Sequence, residues 1–277
     1  MPNQIAVSTW SLHRILGISH RNGPSDMGGA AQATWGVGTC QLNDLPTELA
    51  KRGYVRAEIC HFHIASLDKG HLRELGKSFT SSGVAVQTLL IDAGDLTNPP
   101  NLARDKAWIS RWIEAAAELG AQNARVIAGK SKPDGETLAM AVDGLRAMAD
   151  LGRSLGVRIV TENWFDLLAT PKEVHHVLDA LEGSVGFLAD TGNWHGDTKY
   201  SDLESIFARA ELCHAKCSFA SGFAMDTADF GRCIAAAQRA EYSGPFTLIY
   251  DGPDDDEWAA LAMERDFIQA KMLAKAN

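Results

Sequence analysis

Eight short apolar, β-branched segments punctuate the chain, with helical patterns between them, and this alternation narrows the possible folds more than any other feature. The segments are QIAVSTW (4–10), VRAEICHF (55–62), VAVQTLLID (84–92), ARVIAG (124–129), VRIVTEN (157–163), VGFLADT (185–191), LCHAK (212–216) and FTLIY (246–250). In DKAWISRWIEAAAELG, Trp108, Ile109, Trp112, Ile113, Ala116 and Leu119 fall on one 3.6-residue stripe closed by Gly120. TPKEVHHVLDALEG opens with Thr170 as N-cap, Pro171 at the first helical position and Glu173 in the capping-box position. Strands alternating with helices imply a parallel sheet joined by right-handed crossovers. Eight such units predict a closed (β/α)8 barrel. No GxGxxG follows the first strand, which argues against a dinucleotide-binding sheet.

The length of 277 residues suits one such barrel spanning 1–277. A long Gly-rich polar segment, about 17–44, occupies the place of the first βα loop. It is too long for a plain connection. It is either a lid or substrate loop carrying Trp35, or an ordinary insertion or oligomer contact. A hydrophobic fraction of 45% against 22% charged residues can bury a full core. The net charge of −9 offers no electrostatic attraction to nucleic acid or to an anionic membrane. Five cysteines, an odd number without framework spacing, point to a reduced compartment. The opening MPNQIAVSTW lacks a basic n-region and a long apolar stretch, and no run of 18 apolar residues occurs. A cytoplasmic protein without membrane spans is expected.

Four residues each end an apolar run: Glu162 after VRIVT, Asp190 after VGFLA, His214 after ELC and Asp251 after PFTLIY. They recur at roughly one strand plus one helix. In a parallel barrel such strand ends converge on one mouth, where active sites of that fold lie. Carboxylates and one imidazole with open positions suit a divalent metal, manganese by preference, with zinc, cobalt or magnesium as alternatives. Asp190 could instead cap a turn, and His214 could be a core histidine bonded to backbone. Glu58, His61 and His63 lie at the end of the second strand, with His61 and His63 on one face, fitting hydroxyl binding or acid/base work, or else solvent-facing loop histidines. Lys216 lies on the face of His214 and would steady an oxyanion or pair with a carboxylate. Trp10, Trp35, Trp164 and Trp194 fall in or near mouth loops, where aromatic faces suit the C–H surface of sugars. Asn163 and Asn193, beside the ligand positions, are candidate substrate contacts. Arg125, early in the fourth segment, is expected to lie too low for the mouth.

The chain as a whole resembles the sugar phosphate isomerase/epimerase family, the xylose isomerase-like TIM barrels of the AP endonuclease family 2 superfamily. VSTWSLH resembles its opening strand and LLIDAGDLTNP its third strand and loop. TENW (161–164), LADTGNW (188–194) and CHAK (213–216) resemble the strand ends that supply Glu, Asp and His to a divalent metal. The resemblance implies a barrel, a metal-dependent enzyme, and dimers or tetramers as common assemblies. One departure stands out. The family's eighth strand usually reads like SIEYEG, and its first Glu, which completes the metal site, falls here on Ile249, with Asp251 at the second acidic position. The nuclease branch fits poorly, because Asn193 replaces a histidine and Asp226-Thr227-Ala228 lacks one.

The expected chemistry is isomerisation or epimerisation of a sugar, keto-sugar or polyol, in which a proton is removed next to a polarised carbonyl to give an enediolate. Glu162 is the expected ligand and base, with His63 and Lys216 as further acid/base candidates. A lyase or dehydratase acting on a keto-sugar or keto-polyol shares the first step. A non-catalytic sugar-binding barrel with a degraded fourth ligand is the alternative from another class.

Overall fold

The computed structural model describes residues 4–274. Its barrel strands are β1 (Ile5–Ser8), β2 (Arg56–Cys60), β3 (Ala85–Ile91), β4 (Asn123–Val126), β5 (Arg158–Glu162), β6 (Gly186–Asp190), β7 (Leu212–Lys216) and β8 (Phe246–Ile249). They close in the order β1-β8-β7-β6-β5-β4-β3-β2, and every neighbouring pair is parallel. The outer helices are α1 (Leu45–Lys51), α2 (Lys69–Ser81), α3 (Leu102–Leu119), α4 (Gly135–Leu155), α5 (Pro171–Ala180), α6 (Lys199–Phe207), α7 (Thr227–Arg239) and α8 (Glu257–Ala274). The predicted (β/α)8 barrel is therefore the observed one. No helix among the described residues is long and apolar enough to cross a membrane.

Strand periodicity builds the interior in rungs. Side chains two apart share a face, so Val160, Leu188 and Leu212 form a small apolar cluster inside the barrel. The next inward rung toward the C-terminal mouth carries Glu162, Asp190 and His214, with Asp190 and His214 in direct register. The larger core lies between barrel and helices. There Trp108, Ile109, Trp112, Ile113, Ala116 and Leu119 of α3 are all buried, and Gly120 caps the helix at φ 77°. Truncating either tryptophan to alanine would cost about 3–5 kcal/mol.

Two local features differ from the sequence reading. The Thr170 hydroxyl bonds the Glu173 carboxylate itself rather than capping a backbone N–H of α5. Segment 17–44 is not plain loop: Ser19–Gly23 and Asp26–Gln32 pair antiparallel as a hairpin. Its anchors are tertiary, which is why no alternation announces it. Trp108 Nε1 donates to Asn22 O at 2.8 Å, and Asn22 Nδ2 donates to Ile64 O at 3.0 Å. After the hairpin, Gly38 presses on Leu16; a Cβ there would lie 2.3 Å from the Leu16 carbonyl oxygen.

Candidate functional site

Glu162, Asp190 and His214 are buried at the C-terminal ends of β5, β6 and β7, and one ligand atom from each lies within 4.8 Å of the others. Nδ1 of His214 sits 3.5 Å from Glu162 Oε1 and 3.6 Å from Asp190 Oδ2. The other ring nitrogen, Nε2, is 2.7 Å from Oε2 of Glu58 on β2. Glu58 is wholly buried, and its Oε1 accepts from Gln87 Nε2 at 2.9 Å and Thr88 Oγ1 at 2.8 Å. A carboxylate receiving Nε2–H fixes the tautomer and leaves Nδ1 facing the two other ligands, as in carboxylate–histidine–metal arrangements.

The electrostatics agree with this geometry. Burial alone would raise the Glu58 carboxyl, but His214, Gln87 and Thr88 outweigh it and hold its pKa below the usual value. Burial would lower His214, yet Glu58, Glu162 and Asp190 carry it well above an ordinary imidazole. Three carboxylates around one ring thus create a strong site for positive charge. Asp190 is also held down against its burial, chiefly by His214, with Lys216 and the Gly192 N–H adding to it. The Gly192 and Asn193 N–H groups both donate to Asp190 Oδ1, at 2.6 and 2.9 Å.

A cavity of about 250 Å³ opens at this cluster, lined by Ser8, Trp10, Leu90, Asp92, Arg125, Glu162, Trp164, Asp190, Asn193, His214, Lys216 and Ile249. A larger cavity, about 990 Å³, lies under the hairpin and is lined by none of these three residues. The smaller one is lined by all three residues of the cluster.

The profile of the xylose isomerase-like TIM barrel family matches residues 43–270. The chain belongs to that family. No curated protein matches it in sequence. Among solved structures, D-allulose 3-epimerase from Methylomonas sp. superposes with a TM-score of 0.71 at 15% identity, covering 97% of each chain. A 3-keto-D-glucoside 4-epimerase from E. coli gives 0.65 at 14%, covering 83% of this chain and 94% of that one. A xylose isomerase-like TIM barrel protein from Mycobacterium smegmatis, solved with magnesium, gives 0.67 at 15%, covering 98% and 97%. At such identities the likeness is one of fold.

The remaining predicted residues divide between cavity and scaffold. Trp10, Trp164, Asn193 and Lys216 line the cavity with the triad. Asn193 Nδ2 donates to Glu162 Oε1 at 3.0 Å. Asp251 stands apart from the ligand cluster: it is half-exposed beyond the end of β8 and forms an ion pair with Lys216 Nζ. That pair keeps the Lys216 ammonium charged in spite of partial burial. Ile249, not Asp251, faces the triad from β8.

Asn163 does not line the cavity. Its amide group clamps the Asp190 backbone, accepting at 2.7 Å and donating at 3.0 Å, so it ties β5 to β6. Trp194 is core, its Nε1 donating to Leu168 O at 3.2 Å. His61 packs edge-on against Trp108 and Trp112, and its Nδ1 accepts from the Asp92 N–H at 3.1 Å. His63 bonds Thr9 Oγ1 at 2.9 Å and lines the larger cavity instead. Trp35 stacks on His13, 4.7 Å between ring centroids, away from the triad.

Arg125 corrects the expectation that it lies too low. Its backbone is indeed a rung down, in register with Leu90 and Val160. The long side chain rises past that rung, placing Nε 3.1 Å from Glu162 Oε2 and pairing Nη2 with Asp92. Burial works against this charge, but Asp92 and Glu162 overturn the penalty and raise its pKa.

Proposed function

We propose that this barrel is a divalent-metal-dependent isomerase or epimerase acting on a sugar, keto-sugar or polyol through removal of a proton next to a carbonyl. The observation that carries this reading is the buried Glu162–Asp190–His214 cluster with Nδ1 of His214 turned inward by Glu58. Two carboxylates and one imidazole fit manganese, magnesium, cobalt or zinc, and manganese is our preference. A bound ion would polarise a carbonyl and its neighbouring hydroxyl, acidifying the C–H between them. The family membership and the sugar epimerases of like fold support a carbohydrate substrate.

The residues of the chain then take separable tasks. Asp190 and His214 are ligands, immobilised by backbone N–H groups and by Glu58. Glu162 is both ligand and base, oriented by Asn193 on one oxygen and lying next to Arg125 with the other. Lys216, held charged by Asp251, donates to the oxygen on which negative charge grows. Trp10 and Trp164 offer apolar faces to the C–H surface of a sugar.

One observation favours a second reading, a lyase or dehydratase. Epimerisation with two bases needs a second carboxylate facing the substrate from another side, and the β8 wall of the cavity presents the aliphatic Ile249. Lys216 could instead protonate a departing hydroxyl. Mass spectrometry of ketohexoses and keto-polyols incubated in D2O with the Mn2+-loaded protein tests both. Deuterium entering next to the carbonyl, abolished by chelator and by Glu162→Gln, is the expected result. Loss of water from the substrate selects the lyase, and no exchange in any compound by metal-loaded protein contradicts the isomerase.

A further inference from the structure

Beside the ligand cluster, the β3–β4 wall of the cavity carries a buried donor–acceptor pair, of which the proton-abstraction chemistry uses only the contact of Arg125 with Glu162. Asp92 and Arg125 both line the cavity, with side chains 6% and 3% exposed. They pair through one carboxylate oxygen and Nη2. That leaves Asp92 Oδ2, 3.7 Å from His61 Nδ1, and Arg125 Nη1 buried without a hydrogen-bond partner. Buried polar atoms without partners are uncommon, because each carries a desolvation penalty. An acceptor and a donor without hydrogen bonds, on two residues that line the same cavity, match a group that both donates and accepts. A hydroxyl is that group; a carbonyl would leave the carboxylate oxygen unanswered, and a methylene would leave both.

The pair is also rigid. Arg125 is braced by Glu162 at 3.1 Å and lies 5.0 Å over the Trp164 ring, while the Asp92 backbone N–H is tied to His61. Burial tends to raise the Asp92 carboxyl, but Arg125 and His61 bring it down to about 2, so it stays an acceptor. The neighbouring Glu162 is the assigned ligand and base. A hydroxyl held by this pair therefore sits close to the reacting carbon.

We propose that Asp92 and Arg125 form a hydroxyl-recognition subsite that selects polyhydroxylated substrates over their deoxy analogues. This rests on the functional reading above and adds to it the residues that set specificity. A pocket built to bond a hydroxyl rejects the analogue lacking it far more strongly than an apolar pocket rejects an added one.

The test is calorimetric titration of Mn2+-loaded protein with D-fructose and with its 3-deoxy and 4-deoxy analogues. Wild-type protein is expected to bind D-fructose at least tenfold more tightly than one of the two deoxy sugars. Asp92→Asn and Arg125→Lys, which keep the volume of the wall and are checked for cooperative unfolding, are expected to reduce that ratio below threefold. A purely structural role for the pair would weaken all the sugars alike and leave the ratio unchanged, and that outcome overturns the subsite. Equal binding of all three sugars by wild type overturns it too. If metal binds but none of the sugars does, the carbohydrate reading itself fails.

Discussion

Oε2 of Glu58 and Nε2 of His214 lie 2.7 Å apart across the barrel, joining residues 156 positions apart in sequence. The bond orients the ring of the proposed metal ligand from behind. Glu58→Gln keeps the shape and removes the charge, so metal affinity should fall about 10–100-fold, the usual cost of losing such a partner. Calorimetric titration with Mn2+ reads this directly. Unchanged affinity would mean that Glu58 is only a core carboxylate.

The fourth position is a second lever. Ile249 is 4% exposed and faces the triad from β8. Ile249→Glu should lower the Tm of the metal-free protein, because an unpaired buried carboxylate is costly. It should also enlarge the rise in Tm on adding Mn2+, since a ligand that binds only the folded state stabilises it in proportion to its affinity. A smaller metal-induced rise than in wild type would show that β8 is out of reach of the ion.

Acid should destabilise the packing around His13 and His63. Burial lowers His13 from an ordinary 6.5 to about 4 and His63 to about 3. Both are neutral when folded, while the unfolded chain takes up protons below about 6.5. Stability is therefore lost as pH falls from about 6.5 toward 4 and 3, by up to about 1.4 kcal/mol per pH unit for each histidine. Urea denaturation at pH 7 and pH 5 measures the slope for wild type and His63→Gln. An identical slope in both would exclude His63 as a contributor.

Gly38 fastens the insertion to the barrel mouth. With a Cβ 2.3 Å from the Leu16 oxygen, Gly38→Ala must push the two backbones apart. Limited proteolysis within 17–44 should speed up while global Tm changes little, because local opening is separate from global unfolding. Unaltered cleavage would show that the loop is held elsewhere.

Much of this was legible in the chain because barrel physics writes it locally. Glu162, Asp190 and His214 each close a short apolar run, and strand ends in a parallel barrel meet at one mouth. What the sequence hid depends on side-chain reach and on contacts across the barrel. Arg125 reads as low on its strand, yet its length carries it to Glu162. Glu58 reads as a hydroxyl-binding or acid/base candidate at the end of the second strand, and its bond to His214 appears only once β2 and β7 face each other. Asp251 shares the pattern of the ligands, but beyond the end of β8 it turns to Lys216. Asn163 and Trp194 look like site residues by position, and hydrogen bonds to backbone carbonyls and amides make them scaffold. The hairpin at 19–32 leaves no period-2 signal because its anchors are contributed by Trp108 and Ile64.

Equilibrium dialysis against Mn2+ followed by elemental analysis tests the central claim most directly. Wild-type protein should hold about one ion per chain, with Glu162→Ala, Asp190→Ala and His214→Ala each losing it and Asp251→Ala retaining it. An ion that survives all three triad substitutions, or that departs with Asp251→Ala, would contradict the account.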